Sequence, residues 1–96
     1  MAEHQPEIGS LVKELDQKII TKGALDIKTK RLIAIGCVAV RMCEDCVYAQ
    51  GLAAKNAGAT KQEIIEALKV AVLTGGIPIT SVAKSGVTKL FEEWED

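Results

Sequence analysis

The apolar residues of this chain recur at helical spacing from one end to the other, and that periodicity restricts the fold more than any other feature. Ile8, Leu11, Val12, Leu15 and Ile19 follow the i, i+3, i+4, i+7 spacing of one helix face. Gly23 is a stop signal for that helix. Asp26 is placed to cap a second helix, from about Ile27 to Met42. Its middle, Leu32 to Val40, is apolar on all sides. Such a helix is expected to be buried all round, partly by another subunit. A short parallel strand competes for this run, because Ile and Val favour strands. The chain offers no second strand-like segment for it to pair with.

A third helix is expected from near Cys43 to Ala57, stopped by Gly58. Thr60-Lys61-Gln62-Glu63 has the capping-box pattern, which starts a fourth helix at Lys61. That helix should run to about Thr74 and end at Gly75-Gly76 and Pro78. A last helix carries Ala83, Gly86, Val87, Leu90, Phe91 and Trp94 on one face. Its acidic end, Glu92, Glu93, Glu95 and Asp96, opposes the helix dipole, so the final turn is expected to fray. The expectation is an all-α bundle of about five helices, one domain over residues 1–96.

A domain of 96 residues buries only about 60–65% of the surface its unfolded chain exposes. Oligomerisation is a common remedy and is expected here. The formal net charge of -1 gives no long-range attraction for nucleic acid or anionic lipid. Met1 to Ser10 has neither the positive start nor the apolar run of a secretory signal. The Leu32–Val40 run, bracketed by Arg31 and Arg41, falls far short of the roughly 20 residues of a membrane span. No membrane or nucleic-acid partner is expected, and the location expected is the cytoplasm.

Three cysteines without a secretory signal argue against a structural disulfide framework. They are core residues, metal ligands or redox groups. Cys43-Glu44-Asp45-Cys46 is a CxxC motif. Residues three apart on a helix share a face, with Cβ atoms about 5–6 Å apart, and a modest adjustment allows a disulfide. Near a helix start, free N–H groups and the positive dipole end favour the attacking thiolate. Arg41 adds positive charge there, whereas Glu44 and Asp45 raise a thiol pKa. Spacing alone leaves open a redox pair, two small core thiols and a zinc site. A closed zinc site usually takes four ligands. The other candidates are Cys37, inside the apolar run, and His4, before the first helix; two chains sharing four cysteines is another arrangement.

Four segments in order carry a family resemblance. Leu25 to Ala34 (LDIKTKRLIA) is similar to an opening L-x-x-K-T-R-E-L-I-A-L segment. Cys43 to Cys46 falls at the family's CxxC, and Asn56 to Ala67 resembles its A-G-A-T-x-E-E-I-x-E-A segment. Thr74 to Pro78 matches its Gly-rich turn. The chain after Gly23 thereby resembles the alkyl hydroperoxidase D / carboxymuconolactone decarboxylase-like family. The resemblance implies an all-helical fold assembled as trimers or hexamers. It implies a thiol chemistry in CxxC members: one cysteine reduces a peroxide and the second closes a disulfide. The decarboxylase branch acts on a muconolactone ring acid and generally lacks the CxxC. Retention of Cys43 and Cys46 favours the redox branch, with Cys46 attacking and Cys43 resolving. Helix-end electrostatics alone favour Cys43 as the thiolate.

Peroxidase-type members carry a Glu and a His that relay protons from the attacking cysteine. The corresponding positions here hold Arg31 and Gln50. Gln50 hydrogen-bonds but does not titrate, and Arg31 stays protonated. Arg31 is either a thiolate-stabilising charge or a solvated cation at a helix start. Tyr48, next to the pair, is a candidate hydrogen-bonding or packing residue. Cys37 is expected to be a buried, inert thiol. His4 is expected to be a solvated terminal residue. Gly75-Gly76 lacks the surroundings of a phosphate loop and reads as a helix stop. Leu90, Phe91 and Trp94 read as core or subunit-interface residues.

The expected activity is a thiol-dependent antioxidant oxidoreductase, alkyl hydroperoxidase-like or disulfide reductase-like, cycling Cys43 and Cys46. It requires no bound cofactor and no metal. Its substrate is a hydroperoxide or disulfide, and its electrons come from a partner dithiol protein or a small thiol. A lyase acting on a carboxylated lactone, and a non-catalytic assembly or metal-binding protein, are the alternatives.

Overall fold

A computed structural model describes residues 6–94. The helical periodicity resolves into α1 (Pro6–Ile19), α2 (Ile27–Val40), α3 (Glu44–Asn56), α4 (Lys61–Gly75) and α5 (Ile79–Glu92). No strand occurs among the described residues, and the apolar run 32–40 is helix.

The stop and start signals operate locally. The Asp26 carboxylate accepts from the Thr29 amide at 2.7 Å and caps α2. The capping box is complete: the Glu63 amide donates to Thr60 Oγ1 at 3.1 Å, and the Thr60 amide donates to Glu63 Oε1 at 2.9 Å. Gly58, at φ +98°, ends α3, with the Ala59 amide reaching back to the Ala54 carbonyl. Gly76, at φ +100°, ends α4. The first helix stops at Ile19, before Gly23, and a bend over 20–25 leads into α2.

Helix α2 packs against both α3 and α4, and α3 packs in turn on α5. Ile35 and Ala39 of α2, Val47 and Ala54 of α3, Ile64 of α4 and Leu90 of α5 form the centre of the core. Phe91 and Trp94 pack on its edge, 5.8 Å apart and edge to face.

Within one chain α2 leaves Ile33 and Val40 exposed at 51% and 42%, while the sequence assigned part of its burial to another subunit. Two expectations about α2 are corrected. Cys37 is exposed rather than buried, because α3 and α4 cover only the part of α2 that carries Ile35 and Ala39. The helix also ends at Val40, not Met42, because Met42 adopts φ 64° and turns the chain out of the helix. His4, Glu95 and Asp96 lie outside the described residues.

Candidate functional site

The CxxC pair sits where α2 hands over to α3, and both helix ends shape it. The Met42 amide bonds to the Ala39 carbonyl at 2.9 Å, and the Cys43 amide to the Val38 carbonyl at 3.2 Å. This is a Schellman closure of α2, with Met42 in the left-handed position that glycine usually fills. The next residue, Cys43, is extended (φ -105°, ψ 97°) and is the N-cap of α3. Its sulfur accepts a hydrogen bond from the Cys46 amide at 3.2 Å, where a serine or aspartate oxygen commonly sits. The two sulfurs are joined as a disulfide, with the Cα atoms 5.2 Å apart. The pair thus spans a cap and the first helical turn rather than two positions inside a helix. Both cysteines are half-buried. Immediately behind them, Val47 is fully buried against α5.

Three side chains meet one turn further on. Arg31 of α2 donates two hydrogen bonds to the Asp16 carboxylate of α1, at 3.1 and 3.0 Å. Its Nη1 also reaches Gln50 Oε1 of α3 at 3.3 Å. The Arg31 side chain is only 18% exposed, so it is not a solvated cation. Its charge is shared with Asp16 rather than free to act on a sulfur alone. Gln50 is four residues after Cys46 on the same helix and lies on the same face. Its side-chain oxygen is held by Arg31.

Tyr48 turns elsewhere. Its hydroxyl donates to the Glu93 carboxylate at the end of α5, and Lys89 Nζ lies 4.4 Å from the ring centroid. The bond to Glu93 pushes the phenol above its ordinary pKa of 10.0, with help from desolvation. Tyr48 therefore ties α3 to α5.

The profile of the carboxymuconolactone decarboxylase family matches residues 6–88. The chain belongs to the carboxymuconolactone decarboxylase family. An uncharacterized protein of Methanocaldococcus jannaschii is 38% identical over 89 residues, covering 92% of this chain and 86% of that protein. A family protein of Legionella pneumophila superposes with a TM-score of 0.84 at 31% identity, covering 95% of this chain and 81% of that one. A family protein of Thermotoga maritima, described with a suggested involvement in antioxidative response, superposes with a TM-score of 0.78 at 31% identity. That match covers 88% of this chain and 87% of that one.

In this carboxymuconolactone decarboxylase family member the sequence-derived residues divide into two groups. Cys43 and Cys46 come together as one disulfide, and Arg31 and Gln50 as one hydrogen-bonded pair. Tyr48 joins neither. Asp16 and Glu93, the partners of Arg31 and Tyr48, escaped the sequence reading because each lies 15 or more residues from its partner. Gly51 was also missed as a packing residue, and Gly86 was placed on the apolar face of the last helix but not as a point of close approach. The signal for both was a glycine inside a helical pattern, a position that costs about 1 kcal/mol against alanine and so points to a packing reason.

Proposed function

We propose that this protein is a thiol-dependent antioxidant oxidoreductase that cycles Cys43 and Cys46 between dithiol and disulfide. The observation that carries this reading is the sulfur of Cys43 at the cap of α3, bonded to Cys46 and accepting the Cys46 amide. A cap that accepts an N–H bond stabilises a thiolate more than a thiol. The family and the antioxidative description of the Thermotoga relative support the same chemistry.

In the proposed cycle the Cys46 thiolate attacks the terminal oxygen of a hydroperoxide. The O–O bond breaks, the alcohol leaves with a proton, and Cys46 becomes a sulfenic acid. The Cys43 thiol then attacks that sulfur, water leaves, and the disulfide forms. The two electrons of the dithiol have reduced the peroxide to alcohol and water. A partner dithiol protein or small thiol restores the pair by exchange at Cys46, expelling Cys43. The Cys46 amide bonded to the Cys43 sulfur stabilises the Cys43 thiolate as it leaves. A small disulfide substrate enters the same exchange in place of the peroxide. The reading takes the working protein to be a cytoplasmic homo-oligomer, a trimer or hexamer, that needs no bound cofactor.

The test is a redox titration of the pair by thiol alkylation and mass spectrometry, with and without hydroperoxide. A reversible two-electron couple, oxidised rapidly by peroxide and lost in Cys46→Ser, is expected. Cysteines that stay reduced under peroxide, or lactone decarboxylation that survives Cys43→Ser/Cys46→Ser, would overturn the reading.

A further inference from the structure

Among the described residues, none covers the apolar face of helix α1. Ile8, Leu11, Val12, Leu15 and Ile19 are exposed at 41, 64, 58, 57 and 54%. Among the described residues, no Cα of α1 comes within 8 Å of a Cα in another helix. Two polar contacts tether it: Asp16 to Arg31, and the Ile19 carbonyl to Lys30 Nζ at 2.9 Å.

The chain exposes a second apolar surface that complements the first. Between α2 and α4 lies an open groove of about 410 Å³, lined by Ile33, Gly36, Cys37, Val40, Val70 and Thr74 among others. Val70 is 59% exposed, and Leu73 of α4 is 83% exposed. The α2 wall of the groove runs from Thr29 to Val40, and the α1 stripe from Ile8 to Ile19. Each spans the same number of residues, about 16 Å at 1.5 Å per residue.

The stripe cannot cover the groove of its own chain. At about 100° per residue, Ile33 and Val40 stand roughly 180–200° round α2 from Arg31. Arg31 holds α1 on one side of α2, and the groove opens on the other. A folded monomer of 10.3 kDa exposes about 5,400 Å² by the scaling of surface with mass. This chain exposes 6468 Å². The difference, about 1,100 Å², exceeds the roughly 800 Å² that each partner gives to a standard stable interface.

We propose that the α1 stripe of one copy seats in the α2/α4 groove of a second copy, covering Cys37. The face is a helix-in-groove contact between identical chains, reciprocal about a two-fold axis or repeated round a closed ring. It goes beyond the expectation of an oligomer by assigning the two surfaces that meet. It does not rest on the redox chemistry.

Cys37 makes the contact testable by cross-linking. Leu11→Cys and Leu15→Cys are each placed in a chain carrying Cys43→Ser and Cys46→Ser, and oxidised under non-reducing conditions. At least one is expected to give an intermolecular disulfide that disappears when Cys37→Ser is added. In parallel, Leu11→Glu/Leu15→Glu on the stripe and Val70→Glu in the groove are each expected to reduce the mass in solution to 10.3 kDa, with helical circular dichroism retained. The wild-type alkylation rate of Cys37 should rise at least tenfold in both. A cross-link that survives Cys37→Ser means that the stripes meet each other and overturns the assignment. So does a wild-type protein that is monomeric, or an oligomer that persists in the glutamate variants.

Discussion

Gly86 of α5 lies so close to Val47 of α3 that a Cβ at Gly86 would stand 2.6 Å from the Val47 Cβ and 3.1 Å from the Glu44 carbonyl oxygen. The glycine lets α5 approach the first turn of α3, the turn that carries Cys46. Gly51 does the same in the reverse direction, since a Cβ there would meet Leu90 Cδ2 at 2.6 Å. Gly86→Ala should therefore destabilise the protein by about 1–3 kcal/mol, although alanine is the better helix former. Thermal unfolding should show a fall of roughly 4–8 °C per kcal/mol for a chain of this size. The double variant Val47→Ala/Gly86→Ala should lose less than the sum of the two single changes, because the smaller side chain vacates the contested space. Additive losses would show that the clash is relieved elsewhere.

Met42 is a non-glycine residue in left-handed backbone directly before Cys43. That conformation costs about 1–2 kcal/mol for a residue with a Cβ. The side chain is 51% exposed, so little packing is lost with it. Met42→Gly is expected to raise the urea midpoint by an amount equivalent to about 1 kcal/mol, with an unchanged slope. A lower midpoint would mean that the Met42 side chain packs on something that the strain argument ignores.

The opposed charges of Arg31 and Asp16 allow a test with two signs. If Arg31 acts on the thiols through Gln50, removing its charge disfavours the thiolate and removing that of Asp16 favours it. Arg31→Ala should raise the apparent thiol pKa, read from alkylation rate against pH, and Asp16→Asn should lower it. Gln50→Ala should blunt both shifts. Shifts of the same sign, or none, would leave the Asp16–Arg31 pair as a tether for α1 alone.

Acid sensitivity follows from two capping carboxylates. Glu63 lies below its ordinary pKa of 4.5, first through the Thr60 amide and then through Lys28, whose Nζ is 3.0 Å away. Asp26 lies below its ordinary 3.8, chiefly through its bond to Thr29. A depressed folded pKa gives stability that is complete above the unfolded value and lost as pH falls through the folded one. Stability should hold above about pH 4.5 and decline below it. Glu63→Gln, which can keep the box but not the ion pair, should flatten that decline. Lys28 is raised above 10.5 by Glu63, so its share is complete below that pH and lost as pH rises through the folded value. Chemical denaturation across pH 2.5 to 11 would read both limbs, and a Glu63→Gln curve identical to wild type would refute the assignment.

The helices and their caps were legible in the sequence because the signals are local. Thr60 and Glu63 are three residues apart, Asp26 and Thr29 likewise, and the apolar spacing repeats within each helix. The CxxC was legible for the same reason. The burial of α2 was not, since composition cannot say which side of an all-apolar helix a neighbour takes. The same limit misplaced Cys37, which lies on the side of α2 that no helix of its own chain covers.

The sequence by itself determined five helices, with the cap of α2, the glycine stop of α3 and both signals of α4, and put two cysteines at a helix start, because propensity, capping and spacing act over a few residues. Only the tertiary structure decided that Met42 turns left-handed so that Cys43 becomes the cap. It alone decided that Asp16 takes the charge of Arg31, that Gly86 admits Val47, and that one face each of α1 and of the α2/α4 pair stays open. Those relations join residues far apart in the chain, and their partners are chosen by how helices pack.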